Sequence, residues 1–105
     1  MTVNVLVTEV SVSAVPFDDP ESTQFTLTVA WRGGETYAVV KRGHWNLGAD
    51  GEWDFEVLPS ERTDEWIATH RFSYDEALEL AVKLAPQMTC NGETVEQYLA
   101  WRAEQ

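Results

Sequence analysis

The chain has 105 residues, of which 44% are hydrophobic, and 18 acidic against 7 basic side chains give it a formal net charge of −11. That length indicates a single domain, residues 1–105, with enough apolar side chains for a core of its own. The acidic balance argues against direct binding to nucleic acid or to an anionic membrane, because both contacts need a basic surface. It is compatible with solubility alone, with attraction to a basic protein or with binding of hard cations.

Two further features bear on the compartment. The single cysteine, Cys90, has no partner for an internal disulfide, which favours a reducing cytoplasm. The opening residues 1–7 alternate apolar and polar and lack a basic region and a cleavage site, so they indicate a strand rather than a signal peptide. No apolar run approaches the roughly 20 residues of a membrane span. We therefore expect a cytoplasmic protein.

The first part of the chain is patterned as β-strands. Four segments carry the alternation typical of strands: 3–14, 24–32, 35–47 and 53–57. The first contains a phase slip near Thr8-Glu9, which predicts a bend or bulge. A loop follows at 16–20, where prolines bracket two acidic residues.

Two glycine-containing turns set the register of the predicted sheet. We place a three-residue loop at each turn, closed by Gly34 and by Gly51. This register pairs apolar residues throughout: Val29 with Tyr37, Leu27 with Val39, Leu47 with Trp53 and Trp45 with Phe55. A two-residue loop at the first turn would turn Tyr37 and Val39 to the polar side, so the three-residue loop is preferred.

The register divides the sheet into an apolar and a polar face. The apolar face carries Phe25, Leu27, Val29, Trp31, Tyr37, Val39, Trp45, Leu47, Trp53, Phe55 and Val57. The polar face carries Thr26, Thr28, Thr36, Arg42, His44, Asn46, Glu52, Asp54 and Glu56. Antiparallel sheets commonly have one packed and one solvated face, so we expect helices over the first face and water over the second.

The last part of the chain is patterned as helices. A capping box at Ser73 and Glu76 opens a helix that Pro86 ends, and a weaker box at Thr94 and Gln97 opens a short C-terminal helix. The main helix has an apolar stripe formed by Tyr74, Ala77, Leu78, Ala81, Val82 and Ala85.

The stretch 59–72 is ambiguous, since Ser60 to Ile67 is compatible with one or two helical turns. Its alternation of Trp66, Ala68, His70 and Phe72 favours a short fifth strand at 65–71. The predicted fold is therefore α+β: a four- to five-stranded antiparallel meander sheet with one face packed by one main helix and a short C-terminal helix.

The two histidines are the first candidates for chemistry. His44 lies across from Glu56 in the predicted register, and His70 lies just before the main helix. A histidine beside a carboxylate is half of a general base, but it is equally a common cross-strand contact. No serine or cysteine is placed to complete a nucleophilic set, and the acidic neighbours of Cys90 disfavour a thiolate.

The remaining motifs do not indicate a cofactor. An alternating acidic run leads into and through the predicted strand 53–57: Asp50, Glu52, Asp54 and Glu56. Alternate carboxylates on a strand are about 6–7 Å apart and cannot all converge on one ion, so we expect a solvated face balanced by Arg42 and His44. The glycines match neither the phosphate-binding loop nor the dinucleotide-binding pattern. We therefore predict no catalytic residue, no cofactor and no metal ligand.

The excess of carboxylates leads to the functional hypothesis. We expect a small non-enzymatic protein-interaction module, an accessory or inhibitory protein that binds a basic protein partner. The predicted partner-binding residues are Glu52, Asp54, Glu56, Asp64, Glu65 and Trp66. The acidity is also explained by solubility alone.

Three alternatives stay open. The carboxylates would also suit a nucleic-acid-mimicking inhibitor of a host nuclease or regulator, as expected of a phage or mobile-element protein. A homodimeric structural module would bury Trp31 or Trp101 between copies. A small-molecule binder or enzyme would use a deep pocket near His44 or His70.

Overall fold

The computed structural model describes residues 1–105 as a five-stranded antiparallel sheet, a two-stranded ribbon and three α-helices. The strands are β1 (Glu9–Val12), β2 (Leu27–Trp31), β3 (Tyr37–Lys41), β4 (Trp45–Leu47), β5 (Trp53–Phe55), β6 (Thr89–Cys90) and β7 (Glu93–Thr94). The helices are α1 (Asp64–His70), α2 (Tyr74–Leu84) and α3 (Val95–Ala103). The five-stranded sheet follows chain order, β1-β2-β3-β4-β5, so the predicted α+β fold with an antiparallel meander is confirmed.

The β2–β3 hairpin has the predicted loop length but a register two residues away from the prediction. Val29 lies opposite Val39 instead of Tyr37, and Leu27 lies opposite Lys41 instead of Val39. The Arg32 N–H donates to the Thr36 carbonyl at 2.9 Å, so the loop is Gly33-Gly34-Glu35. Gly33 already has a positive φ of 102°, which places the start of the turn there. A two-residue shift leaves every side chain on its predicted face.

The β4–β5 hairpin has the predicted register. Leu47 lies opposite Trp53 and Trp45 lies opposite Phe55, and Gly51 closes the loop with a φ of 85°. The predicted strand 35–47, however, is two strands. A tight turn at residues 42–44, with positive φ at Arg42 and Gly43, separates β3 from β4 and adds the fifth strand.

The chain before β1 is an exposed arm instead of the predicted strand. Within the predicted strand 3–14 only β1 pairs with the sheet, and residues 1–8 have no regular secondary structure. The Thr8 carbonyl accepts from the Trp31 N–H at 2.9 Å and the Val7 carbonyl accepts from the Tyr37 hydroxyl at 2.8 Å, which fixes the base of the arm. We call residues 1–6 the N-terminal arm; its apolar side chains are exposed.

The first face of the sheet carries the hydrophobic core, as predicted. Helix α2 packs on β2 and β3 through Ala77 and Ala81, both of which are fully buried. Of the predicted capping box the N-cap half is present, since the Ser73 hydroxyl accepts from the Glu76 N–H at 3.2 Å; the Glu76 carboxylate accepts from the same hydroxyl at 3.1 Å instead of from the Ser73 backbone N–H. The predicted stripe is wrong at Val82, which is exposed, and the half-buried residues Leu80 and Leu84 pack against the core instead.

Two rings predicted to face the core lie at its margin. Phe55 is 58% exposed and Trp31 is 36% exposed, because β5 is an edge strand and Trp31 is the last residue of β2. Trp45 and Trp53 are half-buried. The core is therefore formed mainly by β2, β3 and α2 rather than by the tryptophan-rich second hairpin.

The second face of the sheet is not the solvated surface that alternation predicts. Ala38 and Asn46 are fully buried on this face, and Val40 is 5% exposed. Arg71 lies on this face, since its Nη1 is 3.5 Å from the Asn46 Oδ1 and its side chain is 6% exposed. Strand β3 is thus buried on both sides, and a polar side chain occupies part of the face where we expected water.

Helix α1 occupies the stretch where alternation favours a strand at 65–71, so that prediction is wrong. The Thr63 hydroxyl accepts from the Trp66 N–H at 3.0 Å and caps the helix, and the acidic residues in its first turn favour the helix dipole. Only Phe72 keeps a strand-like pairing, a single bridge to Tyr37. A local cap therefore outweighs a short run of alternation.

Helix α3 follows the β6–β7 ribbon and is held to the loop between β1 and β2. The predicted box at Thr94 and Gln97 is present in both directions, with distances of 2.9 and 3.1 Å. The Tyr98 hydroxyl donates to Asp19, and Arg102 Nε lies 3.3 Å from the second oxygen of the same carboxylate. No helix of the structure combines the length and the apolar character required to cross a membrane.

The Asp19–Tyr98 hydrogen bond shifts the pKa values of the two groups in opposite directions. The bond from Tyr98 lowers the pKa of Asp19, with the Glu21 backbone N–H as the next contribution. The same bond, with burial second, raises the pKa of Tyr98 from 10.0 to about 12. Because the native state favours the neutral phenol, this contribution to stability is complete below pH 10.0 and is lost as the pH rises towards 12.

We predict that Asp19→Asn shifts the ionisation of Tyr98 back towards its ordinary value. The absorbance titration of the three tyrosines should then lose its most alkaline step. Asp18→Asn, a neutralised neighbour on the exposed side of the loop, is the control and should leave the titration unchanged. Identical curves for the two variants would show that Asp19 does not set the pKa of Tyr98.

Candidate functional site

The structure separates the six predicted partner-binding residues into two groups. Asp54, Glu56 and Trp66 lie in one network of ion pairs and ring contacts between β5 and α1. Glu52, Asp64 and Glu65 are exposed, and their carboxylates make no ion pair. The carboxylates of the predicted acidic face are therefore not equivalent, since only the second group is free to meet another molecule.

Glu56 is the centre of an arginine cluster, which we define as Arg32, Arg62 and Arg71. One oxygen, Glu56 Oε1, lies 3.1 Å from Arg62, 3.6 Å from Arg32 and 4.0 Å from Arg71. Three guanidinium groups around one carboxylate leave a formal charge of +2 in a chain of −11. The prediction that Arg42 and His44 neutralise the carboxylates of this strand is wrong, because the positive charges beside Glu56 come from these three arginines.

Arg71 is the most buried member of the arginine cluster. Its side chain is 6% exposed, and its Nη1 donates to the His70 carbonyl at 2.9 Å. Burial lowers the pKa of Arg71 to about 10, and the charges of Arg32 and Arg62 add to the effect, while Glu56 opposes it. The native state therefore pays a free-energy cost to keep this guanidinium charged, and the counter-charge of Glu56 limits that cost.

His70 is held on both sides of its ring. Its Nε2 lies 2.7 Å from Asp54 Oδ2, and its Nδ1 lies 2.7 Å from the Trp66 carbonyl and 2.9 Å from the Thr69 hydroxyl. The Trp66 indole stacks on the ring at 4.3 Å. Nε2 therefore joins α1 to β5 through Asp54, while Nδ1 holds the ring within α1.

Trp66 links the histidine to the arginine cluster. The guanidinium carbons of Arg71 and Arg62 lie 5.1 and 5.8 Å from the centre of its ring, within range of cation–π attraction. The indole is half-buried, so part of it remains available on the surface. Tryptophan and arginine at such positions are the residue types that dominate protein interfaces.

His44 takes no part in this network. Its backbone pairs with Glu56 as predicted, through the Glu56 N–H to the His44 carbonyl at 2.8 Å. Its exposed ring packs 4.9 Å from Phe55 and 5.9 Å from Trp45, while the Glu56 carboxylate points to the arginines. The predicted histidine–carboxylate pair therefore forms at His70 and Asp54 instead.

Sequence reasoning missed the three arginines and Asn46. Asn46 is fully buried; its Oδ1 lies 3.5 Å from Arg71, and its Nδ2 has no hydrogen-bond partner. A usable signal was present, because Arg62 and Arg71 flank a helix of seven residues, roughly 10 Å long. Reading 64–70 as a helix would have placed one basic residue at each end.

No group of three or more His, Cys, Asp or Glu side chains is arranged to hold a metal ion. The structure has five surface depressions of about 200 to 350 Å³, and neither His44 nor His70 lines any of them. Hydrogen bonds and ion pairs therefore hold α1 on the sheet, and its outer surface is aromatic and acidic.

Comparison with known proteins found no matching family model, no matching curated protein and no matching solved structure.

We predict that Glu56→Gln destabilises the fold by about 1–2 kcal/mol, because it removes the only carboxylate among three arginines; the figure is reduced for partial exposure. Glu52→Gln, which removes the same charge from the exposed hairpin tip, should change the free energy of unfolding by less than about 0.5 kcal/mol. Urea denaturation measures both. Equal stability of the two variants would mean that the arginine cluster does not depend on Glu56.

Proposed function

We propose that this chain is a non-enzymatic interaction module that binds a basic protein through an acidic rim at α1 and the β4–β5 hairpin. We define the acidic rim as Glu52, Asp64 and Glu65, with Trp66 as its aromatic neighbour. Asp54 and Glu56 are assigned to positioning α1, since their carboxylates bind His70 and the arginine cluster.

The observation that carries the proposal is that the ion pairs of the fold include most of the basic side chains but few of the carboxylates. The ion pairs use only three of the 18 carboxylates, Asp19, Asp54 and Glu56, and leave 15 without a basic partner. The same ion pairs use four of the seven basic side chains and leave Lys41, Arg42 and Lys83. Lys41 lies over the Trp53 ring and Arg42 donates to the Thr89 carbonyl. The outer surface is therefore more acidic than the composition suggests.

The rim is held in a defined place on the fold. The Ala49 N–H donates to the Thr69 carbonyl at 2.7 Å, which ties the hairpin tip to the end of α1. Asp64 and Glu65 lie in the first turn of α1, directly before Trp66. Carboxylates at fixed positions beside an aromatic ring suit a basic protein surface, because charge steers the encounter and the ring contributes buried area.

A nucleic-acid-mimicking inhibitor, of the kind expected in phages or mobile elements, is the narrower form of the same proposal. Its partner would be a nuclease or regulator whose basic groove accepts the acidic rim. Competition separates the two forms, because nucleic acid displaces the protein only from a partner that uses one groove for both ligands.

We predict that Glu52→Gln, Asp64→Asn and Glu65→Gln together abolish capture of the partner. Immobilised protein is exposed to lysate of its native host, and the bound proteins are compared across increasing salt. The control is Asp18→Asn, Glu96→Gln and Glu104→Gln, which removes equal charge from exposed residues outside the rim. A supporting result is a basic protein that the native chain and the control retain, that the rim variant loses and that salt releases. Equal retention by both variants would exclude the rim.

Self-association is a second candidate function, and the N-terminal arm is the observation that favours it. The arm has no charged side chain, its Val3 and Val5 are exposed, and it continues from β1, an edge strand of the sheet. Exposed, uncharged edge segments pair readily with another chain. Trp31 and Trp101, the predicted dimer contacts, are also exposed.

We predict that, if the chain is a homodimer, deletion of residues 1–6 converts it to a monomer. Sedimentation equilibrium measures the mass. Val82→Ser, which removes an exposed apolar side chain from α2, is the control and should leave the dimer intact. A monomeric full-length chain at high concentration would eliminate this candidate.

A further inference from the structure

The arginine cluster carries more positive charge than the fold neutralises. Its three guanidinium groups meet one carboxylate, and all three contacts go to the same oxygen, Glu56 Oε1. No other carboxylate forms an ion pair with Arg32, Arg62 or Arg71. Three of the seven basic side chains of this acidic protein are therefore gathered in one place, with two positive charges in excess.

The positive charges of the cluster repel one another. Burial first, and then the charges of Arg32 and Arg62, lower the pKa of Arg71, whose side chain is 6% exposed. The net charge of −11 does not cancel this repulsion, because charges more than about 8 Å away are largely screened at physiological ionic strength. An anion that joins the cluster would relieve the repulsion.

The cluster also has hydrogen-bond donors that the fold does not use. A guanidinium group has five N–H donors. Arg62 directs its Nε and Nη2 to oxygens of the chain, and Arg32 does so with its Nε and Nη1. Arg62 Nη1 and Arg32 Nη2 have no partner within the chain, and the two side chains are 22% and 27% exposed. The unused donor of Arg62 is accessible, since the one buried side-chain nitrogen without a partner belongs to Asn46.

We infer that the arginine cluster binds the phosphate group of a phosphate monoester, a ligand class beyond the basic protein proposed for the acidic rim. Guanidinium groups match phosphate oxygens in charge and in geometry. A phosphate monoester carries up to two negative charges at neutral pH, which equals the excess of the cluster. The group has two sources, a free phosphate compound or a phosphorylated side chain of another protein.

This inference gives Glu56 a second role. Its carboxylate is the counter-charge of the cluster in the free protein, and it competes with a phosphate for the same guanidinium groups. Removal of its charge should therefore weaken the fold and strengthen the binding of an anion. A purely structural cluster would lose stability without gaining affinity, so the two roles are separable by experiment.

The first test is a titration of the full chain with inorganic phosphate, followed by NMR of the arginine Nε–H signals. The control is chloride at equal ionic strength. We expect phosphate to shift the Arg32 and Arg62 signals to saturation and to leave the signal of Arg102, which is paired with Asp19, unchanged. No saturable shift, or equal responses to the two anions, would overturn the inference.

Two variants of basic residues assign the binding to the cluster. Arg62→Gln should weaken phosphate binding by about tenfold, because it removes a charge-assisted hydrogen-bond donor. Lys83→Gln removes the same charge from an exposed position of α2 and should leave the affinity unchanged. Equal affinities of these two variants would show that phosphate does not bind at the cluster.

Glu56→Gln is the decisive variant. We expect it to bind phosphate about tenfold more tightly than the native chain, because a like charge has left the site. Added phosphate should also raise its urea midpoint more than that of Glu52→Gln, the matched change at the exposed hairpin tip. Unchanged or weaker binding by Glu56→Gln would overturn the inference.

A phosphoserine peptide identifies the source of the phosphate group. Tighter binding of the peptide than of inorganic phosphate identifies a phosphorylated protein as the ligand. Equal or weaker binding of the peptide identifies a free phosphate compound.

Discussion

Burial of β3 on both faces is the constraint on which the rest of the structure depends. One face carries Val39, fully buried beneath α2, and the other carries Ala38 and Val40, of which at most 5% is exposed. A strand in this position needs a cover on each side, yet the chain has only one strongly amphipathic helix. On the second face the buried Arg71 side chain lies against Asn46, and its charged end needs a counter-charge in the same place.

This second cover changes the physical meaning of the acidic composition. The carboxylates of Glu56 and Asp54 bind groups of the protein itself, the arginine cluster and His70. The arginines that would otherwise offset the surface charge are drawn inward to the same place. On the outer surface, carboxylates without a basic partner outnumber the remaining basic side chains. Trp66 and Trp101 lie in different regions of that surface. The proposal for a basic partner follows from that separation.

Patterns whose cause is local were predicted well. The N-cap at Ser73, the capping box at Thr94 and the register of the β4–β5 hairpin depend on residues close in sequence, and the structure contains all three. One failure has a tertiary cause. Alternation did not reveal that Arg32 would reach across the sheet to Glu56, a contact between residues 24 positions apart. The strand expected at 65–71 failed for a local reason, since the Thr63 cap was not weighed. The candidate site was therefore predicted in part: its carboxylates and Trp66 were named, but their basic partners were not.

The way α1 is fastened has a consequence for motion. Of its seven residues only His70 is buried, and its attachment consists of polar contacts and one ring stack instead of a packed apolar face. Releasing the helix exposes little apolar area, whereas releasing α2 opens the core. Helix α1 therefore belongs to the part of the molecule that opens at low free energy, as a small cooperative unit separate from the sheet. Asp64 and Glu65 of the acidic rim move with that unit, whereas Glu52 stays with the hairpin, so a partner that binds all three also stabilises α1 against opening.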